Sequence, residues 1–195
     1  MRRESKDAMW NPFHPWSTRN LAFAAIAAAL NIVLILVFAP MSYGPMQFRI
    51  AEIITAPFVI FFGYPAALAL LVSSIIAAFM SSGMATIQLV WQLGAFLFWA
   101  VPAVEIAKRV EHNLVGYQLV AGWIAITTGI WVPLMLWTSF GIPLVGLIIW
   151  ITTAELITMN ILGYILFKAL QRSDVLKGYS TEPQDLPTSQ PLEVS

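Results

Sequence analysis

The sequence predicts an all-α polytopic membrane protein with six transmembrane helices and both termini on the cytoplasmic side. Composition, the succession of apolar runs and the placement of basic residues carry that prediction. Of 195 residues, 59% are hydrophobic and 10% charged, and mean hydropathy is +0.78. A soluble domain carries about 25% charged residues, so this chain cannot clothe its surface in polar groups and must use lipid as solvent for most of its exterior.

Each crossing needs about 20 mostly apolar residues. The expected organisation is a cytoplasmic N-terminal segment over 1–19, a membrane domain over 20–170 and a disordered cytoplasmic tail over 171–195. The polar and aromatic segment 1–20 precedes an apolar run long enough to span and stay, so a retained first helix is expected rather than a cleaved signal. That helix reads as 20–38, stopped by Pro40 and the turn-rich stretch 39–47. A second run covers 49–62 and is broken by Gly63-Tyr64-Pro65, and a third covers 65–80. At fourteen residues the second run spans only about 21 Å, which leaves open a tilted or incomplete crossing. The fourth helix reads as 85–107, the fifth as 114–132 followed by a loop between Pro133 and Pro143, and the sixth as 143–169. The tail is polar and carries three prolines.

Charge placement fixes the count. With six crossings and the N-terminus inside, Arg2, Arg3, Lys6, Arg19, Lys108, Arg109, Lys168, Arg172 and Lys177 are cytoplasmic, and of the ten basic residues only Arg49 falls outside. That satisfies the positive-inside rule, and five crossings would put one basic cluster on the wrong face.

Several side chains stand out against the apolar background. Glu155 falls halfway along the sixth helix, roughly 18 Å from either end. A charge there costs a few kcal/mol, about 2.5–3.5, unless it is paired, protonated or hydrated, so it marks either a polar cavity or a contact with a neighbouring helix. Gln88, Trp91, Gln92, Ala95 and Trp99 share one face of the fourth helix. Amides beside indoles suit a planar heterocycle, and equally suit helix–helix hydrogen bonding. Arg49 and Glu52, three residues apart, form either an interfacial ion pair or a lid over a ligand. Asn31 is a further polar candidate in the first helix. There, Ala24/Ala28 and Ala25/Ala29 are two small-xxx-small pairs, which permit close approach of another helix, internal or external.

Some chemistry is excluded. There is no Cys, and with only His14 and His112 as imidazoles a metal centre is not expected. No phosphate-binding loop, nucleophile elbow or zinc-protease motif occurs. The basic residues follow topology rather than forming a nucleic-acid surface. Neither an enzyme nor a resident cofactor is indicated.

The segment QFRIAEIITAPF (47–58) with the following GYPAALAL, and TTAELITMNILGYILF (152–167) with Gly163 eight residues after Glu155, resemble the QueT-type family. These are substrate-binding (S) components of energy-coupling-factor (ECF) transporters for queuosine precursors. The resemblance covers about 20–170. It implies capture from outside of a small planar vitamin-like compound of the 7-deazaguanine class, with Glu155, Arg49 and Glu52 as the leading site residues. Glu155 would accept hydrogen bonds from ring and exocyclic nitrogens, as carboxylates do on base edges. It also implies docking of the alanine face (Ala24, Ala25, Ala28, Ala29) on a transmembrane coupling subunit driven by two ATPase subunits, in a prokaryotic plasma membrane. One segment departs from the family: 80–94 carries no acid and offers Gln88 and Gln92 instead. Two other readings stand beside this one: an autonomous secondary transporter with Glu155 as proton relay, and a membrane assembly factor.

Overall fold

A computed structural model describes residues 10–13, 16–42, 48–81 and 85–173, and all regular structure among them is helical. The elements in chain order are α1 (Thr18–Val37), a short α2 (Ala39–Ser42), a 3₁₀ turn (Ile50–Ile54), α3 (Thr55–Ser81) and α4 (Ala85–Ala95). A π-helical turn (Phe96–Ala100) leads into α5 (Val101–Arg109), followed by α6 (Leu114–Phe140) and α7 (Leu144–Glu155). A second π segment (Leu156–Leu162) continues into α8 (Gly163–Arg172).

Helix α1 starts where the Ser17 hydroxyl accepts a hydrogen bond from the Asn20 backbone N–H at 3.2 Å. It buries one narrow face, Asn20, Ala24, Ala27, Asn31 and Ile35. Leu21, Ile26, Leu30 and Val33 remain exposed, as lipid-facing side chains must be in an isolated bundle.

Among the described residues, five helical stretches are long and apolar enough to cross a membrane, one of them over Ile50–Ala77. That stretch is two segments. Gly63 sits at φ 57°, ψ −136°, open only to glycine, and Pro65 follows two residues later. Ala51 and Ala77 pack in one cluster with Ile35, whereas a straight helix would hold them about 39 Å apart. The chain therefore reverses at Gly63, and the two arms run antiparallel. With this hairpin the bundle has six segments.

The first arm is enclosed by protein. Residues 54–67 are all buried. Phe62 stacks on Phe23 of α1 at 4.6 Å, and Phe61 stacks on Phe167 of α8 at 5.3 Å. A helix sheathed by its neighbours needs no match to lipid thickness, which accounts for its shortness.

Boundaries differ from the expected ones in three places. Helix α6 passes through Pro133 to Phe140 and stops at Gly141, whose φ of 67° is the left-handed cap that glycine supplies. The expected loop between Pro133 and Pro143 shrinks to residues 141–143. The fourth crossing extends to Arg109 through the π turn, which falls just before Pro102, a residue that cannot donate to the Phe98 carbonyl. The last crossing runs on to Arg172, two residues past the expected domain end, while the rest of the expected tail from 174 onward lies outside the described residues.

The bundle has two unlike ends. At one, Trp16 and the hairpin tip pack into the main core with Phe167, and Phe61 meets His112 edge-on at 5.5 Å. Gln171 donates to the His112 carbonyl at 2.5 Å. Among the described residues, Arg19, Lys108, Arg109, Lys168 and Arg172 belong to the segments that meet here. Arg49 lies in the other half of the bundle, with Ile35 and Ala51.

Candidate functional site

The 3₁₀ turn places two charged side chains on the wall of a cavity. Arg49 directly precedes the turn and Glu52 lies within it. Arg49 Nη2 pairs with Glu52 Oε1 at 2.7 Å, and the Thr55 hydroxyl donates to Glu52 Oε2 at 2.6 Å. Both Glu52 oxygens are therefore held. The other arm of the guanidinium, Nη1, lies 4.0 Å from Glu155 Oε1.

Arg49 and Glu52 line the cavity with Ile35, Ala51, Ser74, Trp91, Gln92, Ala95, Trp99, Thr128, Trp131, Val132 and Met135. Its water-accessible volume is about 70 Å³, several times the roughly 10–15 Å³ that one water needs. The charged pair thus borders space that water or a ligand's polar edge can fill.

The far wall is aromatic and pinned. Trp131 Nε1 donates to the Trp91 carbonyl at 2.9 Å, the two indoles meet edge-on at 5.1 Å, and Phe98 lies 4.7 Å from Trp131. Gly94 makes this contact possible, since a Cβ there would meet Trp131 Cζ2 at 2.5 Å. Five hydrogen-bonding side chains (Arg49, Glu52, Ser74, Gln92 and Thr128) and three indoles around the cleft provide flat stacking surfaces and edge contacts for a planar molecule.

The candidates from the sequence fall into different places. Arg49, Glu52, Trp91 and Gln92 come together on the cavity, and the fourth-helix stripe continues there through Ala95 and Trp99. Glu155 does not line it. The residue is 1% exposed, lies one side chain behind the cavity across Arg49, and accepts no hydrogen bond among the described residues. Asn31 does not line it either: its amide donates to the Ser73 hydroxyl at 2.7 Å and the Ser74 hydroxyl at 3.1 Å, bracing Ser74, which does. The Gln88 side chain lies outside the described residues.

Helix α6 supplies a wall the sequence reading missed. Thr128, Trp131, Val132 and Met135 recur at i, i+3, i+4 and i+7, the spacing that singled out the fourth helix. Among the described residues, no three His, Asp or Glu side chains converge as metal ligands would.

On the outside of the bundle, a second, apolar groove is lined by Trp16, Ala24, Ala25, Ala28, Pro65, Leu68, Ala69 and Val72. Ala29 is exposed on the same helix but does not line the groove.

Residues 21–172 match the family model described as QueT transporter. No curated protein and no solved structure matches the chain.

Proposed function

Because the chain belongs to the QueT transporter family, and is thus a multi-pass membrane transporter component rather than an enzyme, we propose that it is the substrate-binding subunit of an ECF-type importer. It captures a queuosine precursor of the 7-deazaguanine class from outside the cell. The observation that carries this reading is the tryptophan-walled cavity in the half of the bundle away from the basic residues. By the positive-inside rule the basic end faces the cytoplasm of a prokaryotic cell, so the cavity lies toward the outside.

The ring system of a 7-deazaguanine stacks on an indole face, and its polar edges meet the Arg49 fork and the Gln92 amide. In the described conformation Glu155 acts on the ligand through Arg49, by holding the guanidinium in place. The purified protein should bind 7-deazaguanine compounds saturably in titration calorimetry, and absence of heat and of thermal stabilisation would remove the substrate assignment. Trp131→Ala should weaken binding by about 1–3 kcal/mol, the usual worth of stacking one base on an aromatic side chain. Unchanged affinity would take Trp131 out of the site.

The apolar groove on α1 is the docking face for a transmembrane coupling subunit, itself driven by two ATPase subunits. Its alanines let a partner helix approach closely where lipid offers no competing hydrophobic force. Ala28→Leu should fill the groove and block co-purification with the coupling subunit while leaving ligand affinity unchanged. A complex recovered at wild-type yield would refute this use of the groove. Uptake by vesicles holding this protein alone, driven by a pH gradient without ATP, would favour an autonomous transporter instead.

A further inference from the structure

The last crossing keeps one face buried at a spacing that a plain α-helix does not keep. Leu147, Ile151, Glu155, Met159, Gly163 and Phe167 are buried, and residues 149, 153, 157, 161, 165 and 169 are exposed, both at intervals of four. At 3.6 residues per turn such a repeat drifts about 40° each time, which would set Leu147 and Phe167 about 200° apart. The π segment Leu156–Leu162, with more residues per turn, takes up part of that drift.

The π register releases a carbonyl inside the bundle, and α6 fills it. The Gly163 N–H bonds the Thr158 carbonyl, five residues back, instead of the Met159 carbonyl, four back. The Tyr117 hydroxyl donates to the Met159 carbonyl at 2.6 Å, and the Gln118 amide donates to the next one, Asn160, at 3.1 Å. Tyr117 is fully buried, with the rings of Phe167 and Tyr164 at 4.8 and 5.3 Å. Phenylalanine would fill that aromatic cluster equally well, so what the hydroxyl adds is its bond to Met159. In the α register the Gly163 amide would claim that carbonyl, and a buried hydroxyl would lose its acceptor, which is costly in an apolar interior.

Both ends of the π segment touch the turn that walls the cavity. Glu155, just before it, faces Arg49 at 4.0 Å. A Cβ on Gly163, just after it, would lie 3.1 Å from the Ile53 carbonyl oxygen of that turn. We infer that Tyr117 and Gln118 are positioning residues for the cavity. From the basic half of the bundle they hold the last helix in its π register, and that register holds the 3₁₀ turn that follows Arg49 and carries Glu52. The effect on binding rests on the reading of this cavity as the ligand site, whereas the register does not.

Two spin labels read the register without ligand. The chain has no Cys, so Ile149→Cys and Ile165→Cys, exposed positions on either side of the π segment, give a unique labelled pair in the full-length protein. Adding Tyr117→Phe should lengthen the distance between the labels by about 5 Å, because an α register rises about 1.5 Å per residue and turns the two labels to different faces. Tyr164→Phe, which takes a hydroxyl from the same aromatic cluster, should leave the distance unchanged. If Tyr117→Phe does not fold, Gln118→Leu should shift the distance in the same direction. In titration calorimetry, 7-aminomethyl-7-deazaguanine should bind the Tyr117→Phe protein roughly tenfold more weakly than wild type, about the worth of one hydrogen bond. An unchanged label distance overturns the hold on the register, and a lengthened distance with wild-type affinity overturns the positioning role. If the wild-type protein binds no 7-deazaguanine compound, the substrate reading falls and the label distance alone decides whether Tyr117 sets the register.

Discussion

Arg49→Ala should abolish measurable ligand binding and cost about 3 kcal/mol of stability, near the lower end for breaking a buried ion pair. The lower end applies because the Arg49 side chain keeps 18% exposure and that of Glu52 keeps 14%, so water screens part of the loss. Two carboxylates that shared one cation are left facing each other, and Glu155, whose side chain is 2% exposed, loses the only cation within reach among the described residues. Arg49→Lys should fall in between, since a point charge restores attraction but cannot bridge both acids as a planar fork does. The sharpest check is a double-mutant cycle. Adding Glu155→Gln to Arg49→Ala changes both groups that face each other, so any coupling between them shows as a departure from the sum of the two single changes. Thermal unfolding in detergent with parallel ligand titration reads both effects. Additive losses, or an Arg49→Ala protein that unfolds and binds as the wild type does, would show that the three charges are not coupled.

The parts of this architecture governed by solvent were legible in the sequence, and the parts governed by neighbours were not. Apolar runs gave the helices, and the basic clusters among the described residues fall together at one end of the bundle, because lipid and headgroups act on each segment separately. Gly63-Tyr64-Pro65 gave the hairpin, because φ 57° with ψ −136° is closed to other residues. Pro133 misled: helix α6 continues through it, as bundle helices tolerate proline where neighbours and side chains satisfy the freed carbonyls. The true stop was Gly141, a glycine cap followed by Pro143, which is the more reliable signal.

Within the site, the spacing of Trp91, Gln92, Ala95 and Trp99 identified a face, and the same spacing in Thr128, Trp131, Val132 and Met135 passed unnoticed because no charged or amide residue marked it. Glu155 could be placed in depth but not in direction. The π segment that begins at Leu156 changes the residue count per turn, so a helical wheel cannot say which neighbour the carboxylate meets. Asn31 was recognisable as polar, but its partners Ser73 and Ser74 lie 42 and 43 residues away, a pairing set by the hairpin.

A change that removes no polar group, Gly163→Ala, should also have a large effect. A methyl group at 163 would lie 3.1 Å from the Ile53 carbonyl oxygen and press on the Tyr117 hydroxyl. Neither can yield cheaply. Tyr117 is fully buried and donates to the Met159 carbonyl at 2.6 Å, and Ile53 is backbone of the 3₁₀ turn that carries Glu52 and follows Arg49. The turn must move, and with it the guanidinium that faces Glu155. The expected cost is about 1–3 kcal/mol of stability from overpacking, together with weakened ligand binding, although alanine is the better helix former. Gly122 and Gly146 give the contrast, since a Cβ at either meets nothing within 4 Å. Gly122→Ala and Gly146→Ala should be neutral or stabilise by up to about 1 kcal/mol and bind ligand normally. Thermal midpoints and titrations of the three variants side by side decide the matter. A Gly163→Ala protein indistinguishable from the other two would mean that close packing of the last helix against the 3₁₀ turn does not set the position of Arg49.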